Sequence, residues 1–66
     1  MMIVVVNENS VEVDGQTTVA GLLASLGFPE RGIAVAMDDA VLPRSRWATQ
    51  LFDGARLEVV TAVQGG

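Results

Sequence analysis

One segment of this sequence has the spacing of an amphipathic α-helix, and it constrains the fold more than any other feature. Its apolar side chains recur at positions i, i+3, i+4 and i+7, which places them on one face of a helix: Val19, Leu22, Leu23 and Leu26. A helix with a single apolar stripe must bury that stripe against another layer. The rest of the sequence has strand-like patterns, so we expect the helix to lie on a β-sheet.

Sequence signals mark both ends of this helix. Thr17 or Thr18 can cap the N-terminus by accepting a hydrogen bond from a backbone N–H that has no partner within the helix. Gly27 stands where a residue with left-handed backbone commonly follows a helix. Pro29 prevents any continuation. These signals predict one helix that ends close to Leu26.

Five further segments are predicted to be strands, because they are rich in β-branched residues or alternate between apolar and polar residues. They are Met2–Val6, 11–13, Ile33–Met37, Ala40–Leu42 and 56–62. Turn-forming residues separate them at 7–10, 38–39 and 53–54. One helix laid across a mixed sheet in this order is the β-grasp arrangement, an α+β fold with a sheet of four to five strands.

The predicted sheet has a helix on only one of its two faces. We expect its two most apolar strands, Met2–Val6 and 56–62, to lie side by side in the centre. Alternation places Ile3 and Val5 on one face of the first strand, and Val4 and Val6 on the other. We expect Val4, Val6 and Val60 on the open face, where an exposed apolar patch would mark a partner surface.

Composition excludes several classes of function for this single domain of 66 residues. There is no Cys, which excludes disulfides and thiolate metal sites, and no His, the commonest general base. Four basic against eight acidic residues give a net charge of −4, without the basic stripe of a nucleic-acid binder or of a protein that binds anionic membranes. No apolar run is long enough for a signal peptide or a transmembrane span, so we expect a cytoplasmic protein.

Two local features have both a functional and a structural interpretation. Asp38 and Asp39 are adjacent acids that could perturb each other's pKa, but no other catalytic residue type lies nearby, so we interpret them as a turn. Trp47 lies beside Arg44 and Arg46 and could be a hot spot for a partner. We favour the alternative that its ring packs at the rim of the core.

The sequence closes with Gln64-Gly65-Gly66. We expect a domain spanning residues 1–62 and a flexible tail at residues 63–66. Glycine has no Cβ, so a terminal Gly-Gly can lie extended in a slot that is too narrow for other residues. The one unusual group of such a tail is the carboxylate of Gly66, which a partner could activate and transfer as an acyl group.

Segments along essentially the whole chain resemble the ThiS family, the ubiquitin-like sulfur carriers of thiamine biosynthesis. The matching segments are 3–7 (Ile-Val-Val-Val-Asn), 18–23 (Thr-Val-Ala-Gly-Leu-Leu), 32–36 (Gly-Ile-Ala-Val-Ala), 43–47 (Pro-Arg-Ser-Arg-Trp), 53–54 (Asp-Gly) and 60–66 (Val-Thr-Ala-Val-Gln-Gly-Gly). The Pro-Arg-x-x-Trp segment and the closing Gln-Gly-Gly are the most specific. Asp38-Asp39 departs from the Asn-Gly type of turn that the family tends to have, which affects the local turn type.

The resemblance implies that Gly66 is the functional residue of a carrier that binds no cofactor and is not an enzyme. A ThiF-like adenylyltransferase would use ATP and Mg to convert its carboxylate into an acyl-adenylate. Sulfur from a persulfide donor would replace AMP, and the resulting thiocarboxylate would deliver sulfur to a ThiG-like thiazole synthase. Gly65 and Gln64 would give the tail access to the partner's channel. A chain without Cys and His fits this role, because both steps must then be performed by partners.

Three alternatives remain at this level. The small subunit of molybdopterin synthase has the same fold, tail and sulfur chemistry, but it is typically longer and lacks the Val-Thr-Ala-Val-Gln run. A ubiquitin-like modifier would join its tail to lysines of other proteins. A structural binding module with an idle tail would lose nothing when Gly65 and Gly66 are deleted.

Overall fold

The fold is a mixed five-stranded sheet with a helix packed on one face, seen in a computed structural model that describes residues 1–29 and 31–61. The elements are β1 (Met2–Val6), β2 (Asn9–Val13), α1 (Val19–Ser25), β3 (Ile33–Met37), β4 (Ala40–Leu42), a 3₁₀ turn (Arg44–Arg46) and β5 (Arg56–Thr61). The strand order is β2-β1-β5-β3-β4, with β1 and β5 parallel and the other pairs antiparallel. The predicted β-grasp arrangement is confirmed.

The two most apolar strands lie side by side, as the sequence predicted. The register of the parallel pair covers only Val5↔Arg56 and Val6↔Leu57. The turn before β5 lengthens this pairing, because the Ile3 N–H donates to Asp53 Oδ1 at 2.8 Å and the Gly54 N–H donates to the Ile3 carbonyl at 2.8 Å. The predicted turn at Asp53-Gly54 therefore also holds the start of β1.

Both hairpins close through two-residue turns with left-handed backbone. Asn7 and Glu8 have φ of 49° and 72°, and Asp38 and Asp39 have φ of 51° and 72°. Positive φ at both central residues is the requirement of a type I′ turn, whose twist matches that of the flanking strands. The interpretation of Asp38-Asp39 as a turn is confirmed. The prediction for β2 was too short, because this tight turn lets the strand begin at Asn9.

Helix α1 is short and is capped at both ends. Thr18 is the N-cap, and its hydroxyl accepts from the Gly21 N–H at 3.1 Å. Gly27 follows the helix with φ of 86°. The Gly27 and Phe28 N–H groups donate to the Ala24 and Leu23 carbonyls, which is the paired bonding of a Schellman motif. Both predicted end signals are confirmed.

A distant loop completes the N-terminus of the helix. The Val19 and Ala20 N–H groups donate to the carbonyls of Thr49 and Trp47 at 3.0 and 2.9 Å, so two groups that lack partners within the helix are satisfied. This contact draws Trp47 into the core, where its side chain is 8% exposed and its Nε1–H donates to the Leu42 carbonyl. The core interpretation of Trp47 is confirmed.

The faces of β1 are the reverse of what the sequence predicted. Val4 and Val6 are 0% and 4% exposed and belong to the core beneath the helix, so their assignment to the open face is wrong. The hairpin register explains the reversal, since Val4 pairs with Val11 and Val5 pairs with the exposed Ser10. Residues directly opposite in a pair share a face.

The apolar stripe of the helix is also shorter than predicted. Val19, Leu22 and Leu23 are buried, but Leu26 is the C-cap and is 42% exposed. Phe28 packs against the core beyond the end of the helix. The chain changes direction at Gly27, and Phe28 then continues the apolar contact with the core.

Candidate functional site

Strand β5 is the element from which the candidate site is built. It lies in the middle of the sheet, with β1 on one side and β3 on the other. Its register with β3 continues to Ile33↔Thr61, the last described pair. Gln64, Gly65 and Gly66 lie outside the described residues, and so does Ala62, the predicted end of the strand. In the sequence they follow this central strand.

Val60 lies on the open face of β5 with 63% of its side chain exposed, as the sequence predicted. It is the one residue of the predicted partner surface that the structure places there. Leu57 and Val59 of the same strand point to the core. The alternation along β5 thus separates residues that hold the fold together from one that is available to a partner.

The apolar surface around Val60 extends across three strands. We call it the open-face patch, which consists of Ala34, Ala36, Val41, Glu58 and Val60. The register brings them together through Ala34↔Val60 on β5, and through Glu58 and Val41 on either side of Ala36. Val41 is 81% exposed. The patch is a shallow apolar depression that includes the carboxylate of Glu58, and two of its residues belong to β5, the strand that precedes the tail in the sequence.

Exposed apolar surface also continues onto β1. Ile3 is 48% exposed and lies on the same face as Val5, which pairs with Arg56. Arg56 and Glu58 are both exposed on β5. The open face therefore offers apolar contact together with one charge of each sign. Such a surface can bind a partner protein, whereas it brings together no nucleophile and base for catalysis.

The opposite side of the molecule has a groove between the helix and the 3₁₀ turn. Leu23, Phe28 and Trp47 supply its apolar lining, and the Arg44 guanidinium lies 5.8 Å from the centre of the Trp47 ring.

In the part of the chain that the structure describes, no group of His, Cys, Asp or Glu side chains could hold a metal ion. Within the same residues, no helix is long and apolar enough to cross a membrane.

Sequence reasoning missed Ala34, Ala36 and Val41. Their signal was present as a size alternation in β3, where Ile33, Val35 and Met37 are large and the two intervening residues are alanines. Large side chains fill the space under a helix, and small ones suit the other face. Val41 then follows from the pairing of β4 with β3.

Comparison with known proteins places these features in a family. The model of the ThiS family matches residues 4–66. A crystal structure of the thiamine biosynthesis protein ThiS from Geobacter metallireducens is similar, with 29% identity and a TM-score of 0.79, over 98% of this chain and 100% of that one. A solution NMR structure of a thiamine biosynthesis protein from the same organism gives 30% identity and a TM-score of 0.76, over 98% and 88% of the two chains. No match was found among curated proteins.

Proposed function

The chain belongs to the ThiS family, and on this premise we propose that Gly66 carries sulfur as a C-terminal thiocarboxylate for thiazole formation. The broader role, that of a small sulfur carrier protein in thiamine biosynthesis, comes with the family. One observation carries the finer proposal. The family match runs to residue 66 and therefore includes Gln64-Gly65-Gly66.

The proposed chemistry begins with activation of the Gly66 carboxylate on a ThiF-like adenylyltransferase. A carboxylate is a poor electrophile, so one of its oxygens first attacks the α-phosphorus of ATP. The bond to the β-phosphate breaks, and pyrophosphate leaves with Mg. The product is an acyl-adenylate, whose carbonyl carbon now has AMP as a leaving group.

Sulfur then replaces AMP at the same carbon. The terminal sulfur of a persulfide donor attacks the carbonyl carbon of Gly66, and the bond to AMP breaks. A thiol cleaves the remaining S–S bond and is oxidised to a disulfide with the donor, which leaves a thiocarboxylate on Gly66. That sulfur is then passed to a ThiG-like thiazole synthase. The carrier has no Cys and no His, so these partners supply the catalytic groups.

The role of the folded domain is to bring the tail to its partners. We propose that the open-face patch docks on the adenylyltransferase and the thiazole synthase, because exposed apolar surface of this kind marks binding sites. Val60 lies within the patch and in the strand that continues to the tail. Docking there keeps Gly66 close to the partner's active site, because only the short tail separates it from the docked strand. This raises the effective concentration of Gly66 at that site.

The test is the intact mass of the full chain after incubation with an adenylyltransferase, ATP, Mg and a persulfide donor, before and after alkylation. Replacing one oxygen by sulfur changes the mass by nearly the same amount as oxidation of Met1, Met2 or Met37. Alkylation separates the two, because the chain has no Cys and a thiocarboxylate would be its one anionic sulfur, which reacts far faster at neutral pH than a methionine thioether. We expect a single adduct that maps to the C-terminal fragment.

A variant that ends at Gln64 is the matched control and should give no adduct. An unmodified full chain after complete incubation would contradict the proposal. Larger covalent conjugates in a lysate would instead indicate a modifier. A thiocarboxylate that supplies molybdopterin formation, and not thiazole formation, would change the acceptor while retaining the chemistry at Gly66.

A further inference from the structure

The hydrogen bonding between β1 and β5 continues past the point where β1 turns away from the sheet. The last register pair is Val6↔Leu57. Asn7 then enters the hairpin turn with φ of 49°, while its N–H still donates to the Leu57 carbonyl at 3.0 Å. Val59 is the next residue of β5 whose main-chain groups point toward β1. Strand β1 has already ended there and has no residue opposite Val59.

The side chain of Asn7 occupies this place. The Val59 N–H donates to Asn7 Oδ1 at 2.8 Å, and Asn7 Nδ2 donates to the Val59 carbonyl at 3.2 Å. A carboxamide offers one acceptor and a donor in a plane, as a peptide group does, so Asn7 adds one more step to the ladder. Val59 is 7% exposed, so water cannot readily replace a missing partner, and an unpaired N–H or carbonyl there would cost free energy of folding.

Asparagine combines two properties at this position. It tolerates left-handed backbone better than most residues, as the turn demands. Its carboxamide also supplies both a donor and an acceptor, whereas an aspartate would supply acceptors alone. A residue chosen for the turn alone could equally be glycine.

We propose that Asn7 is a positioning residue for the adenylation of Gly66, an inference that rests on the proposed function. Asn7 fixes both main-chain groups of Val59 on the β1 side, and the register with β3 holds Thr61 on the other. The two contacts together fix the course of β5 as far as Thr61, the base of the segment that ends in Gly66. A short tether with a fixed base explores less space, so its end reaches the reacting position more often.

The structure supplies a matched control at the other end of β5. Asp38 is also the first residue of a two-residue turn, with φ of 51°, and its Oδ1 accepts from the Arg56 N–H at 3.1 Å. Asn7→Gly and Asp38→Gly each preserve a left-handed turn and each remove a side chain that binds the main chain of β5. Only the first acts at the end of the strand that leads to the tail.

The experiment measures pyrophosphate release by a purified ThiF-like adenylyltransferase with ATP and Mg, at increasing concentrations of each carrier variant. We expect Asn7→Gly to lower kcat about tenfold with KM within about twofold, because docking is unchanged while alignment is lost. Asp38→Gly should leave kcat within about twofold of the unmodified chain. Amide hydrogen exchange at Val59 should accelerate in Asn7→Gly and not in Asp38→Gly.

A second variant, Asn7→Asp, keeps the side-chain length and one acceptor but sets a carboxylate oxygen against the Val59 carbonyl. It should lower kcat in the same direction as Asn7→Gly. An unchanged kcat in both Asn7 variants, or an equal loss in Asp38→Gly, overturns the inference while the proposed function stands. An unmodified chain that releases no pyrophosphate contradicts the proposed function itself, so the two failures are distinguishable.

Discussion

At the scale of single residues, three side chains complete main-chain pairing where a strand ends. Asn7, Asp38 and Asp53 each lie in a turn, and the Oδ1 atom of each accepts a hydrogen bond from a residue in a neighbouring strand. A net hydrogen bond contributes about 0.5–1.5 kcal/mol, which matters in a small domain with limited apolar burial. These two acids and one amide, which a sequence reader assigns to turns, therefore also hold β5 and the turn before it to the neighbouring strands β1 and β3.

The first prediction at this scale concerns Gly65. Under the proposed function the tail would enter a narrow channel of the adenylyltransferase, and glycine alone adds no side chain to the passage. We expect Gly65→Trp to abolish pyrophosphate release by the adenylyltransferase while the unfolding midpoint in urea remains that of the unmodified chain. Gly65→Ala, which adds a single methyl group, should retain part of the rate.

The comparison of Gly65→Ala with Gly65→Trp separates size from a general intolerance of change. Loss of activity that grows with side-chain volume supports a steric channel. Normal turnover by Gly65→Trp would show that the residue does not enter a confined site.

At the scale of elements, local chemistry in the sequence predicted the helix and most of the strands. The cap at Thr18, the left-handed Gly27 and the apolar run of β1 are each specified by residues close together in the chain. The register of the first hairpin could also have been predicted from the sequence. A two-residue turn at Asn7-Glu8 places Val4 opposite Val11, which assigns Val4 to the core. With all four turn-forming residues at 7–10 assigned to the turn, this register is not obtained.

Contacts between distant segments could not be predicted in the same way. The carbonyls of Trp47 and Thr49 accept hydrogen bonds from the start of helix α1, although nearly thirty residues separate them in the sequence. Backbone pairing of this kind depends on where the tertiary fold brings two segments. No residue type in the 47–49 segment signals it.

The prediction at this scale concerns the β3–β4 hairpin. Asp39 has φ of 72°, a conformation that costs a non-glycine residue about 1–2 kcal/mol. Glycine adopts it freely but loses about 0.5–1 kcal/mol through the greater entropy of its unfolded chain. We therefore expect Asp39→Gly to raise the free energy of unfolding by about 0.5–1 kcal/mol in urea denaturation.

Asp39→Ala is the matched control for this substitution. It also removes the carboxylate, but it retains a Cβ in the left-handed region and should not be more stable than the unmodified chain. If both variants were stabilised equally, the effect would come from removing a charge beside Asp38 and not from relief of the backbone.

At the scale of the whole molecule, the sheet has two different faces: the helix covers one, where the core lies, and the other is open. The sequence predicted the open face and the tail, but of the three residues assigned to that face it placed only Val60 correctly. Apolar residues occur on both faces of β1, so hydrophobicity alone could not choose between them. The distinction arises from the sheet as a unit, in which β2 and β3 set the face of each neighbour through register.

The last prediction tests whether the open side is the docking side. Val60→Arg places a long charged side chain in the middle of the open-face patch, and an exposed substitution of this kind changes stability by no more than about 0.5 kcal/mol. We expect KM for the carrier in the adenylation assay to rise about tenfold or more, equivalent to about 1.4 kcal/mol of binding free energy, with kcat little changed. Gln16→Arg adds the same charge at an exposed position just before the helix, outside the patch. Equal effects of the two variants would assign the change to net charge, and a larger effect of Gln16→Arg would place the partner on the helix side.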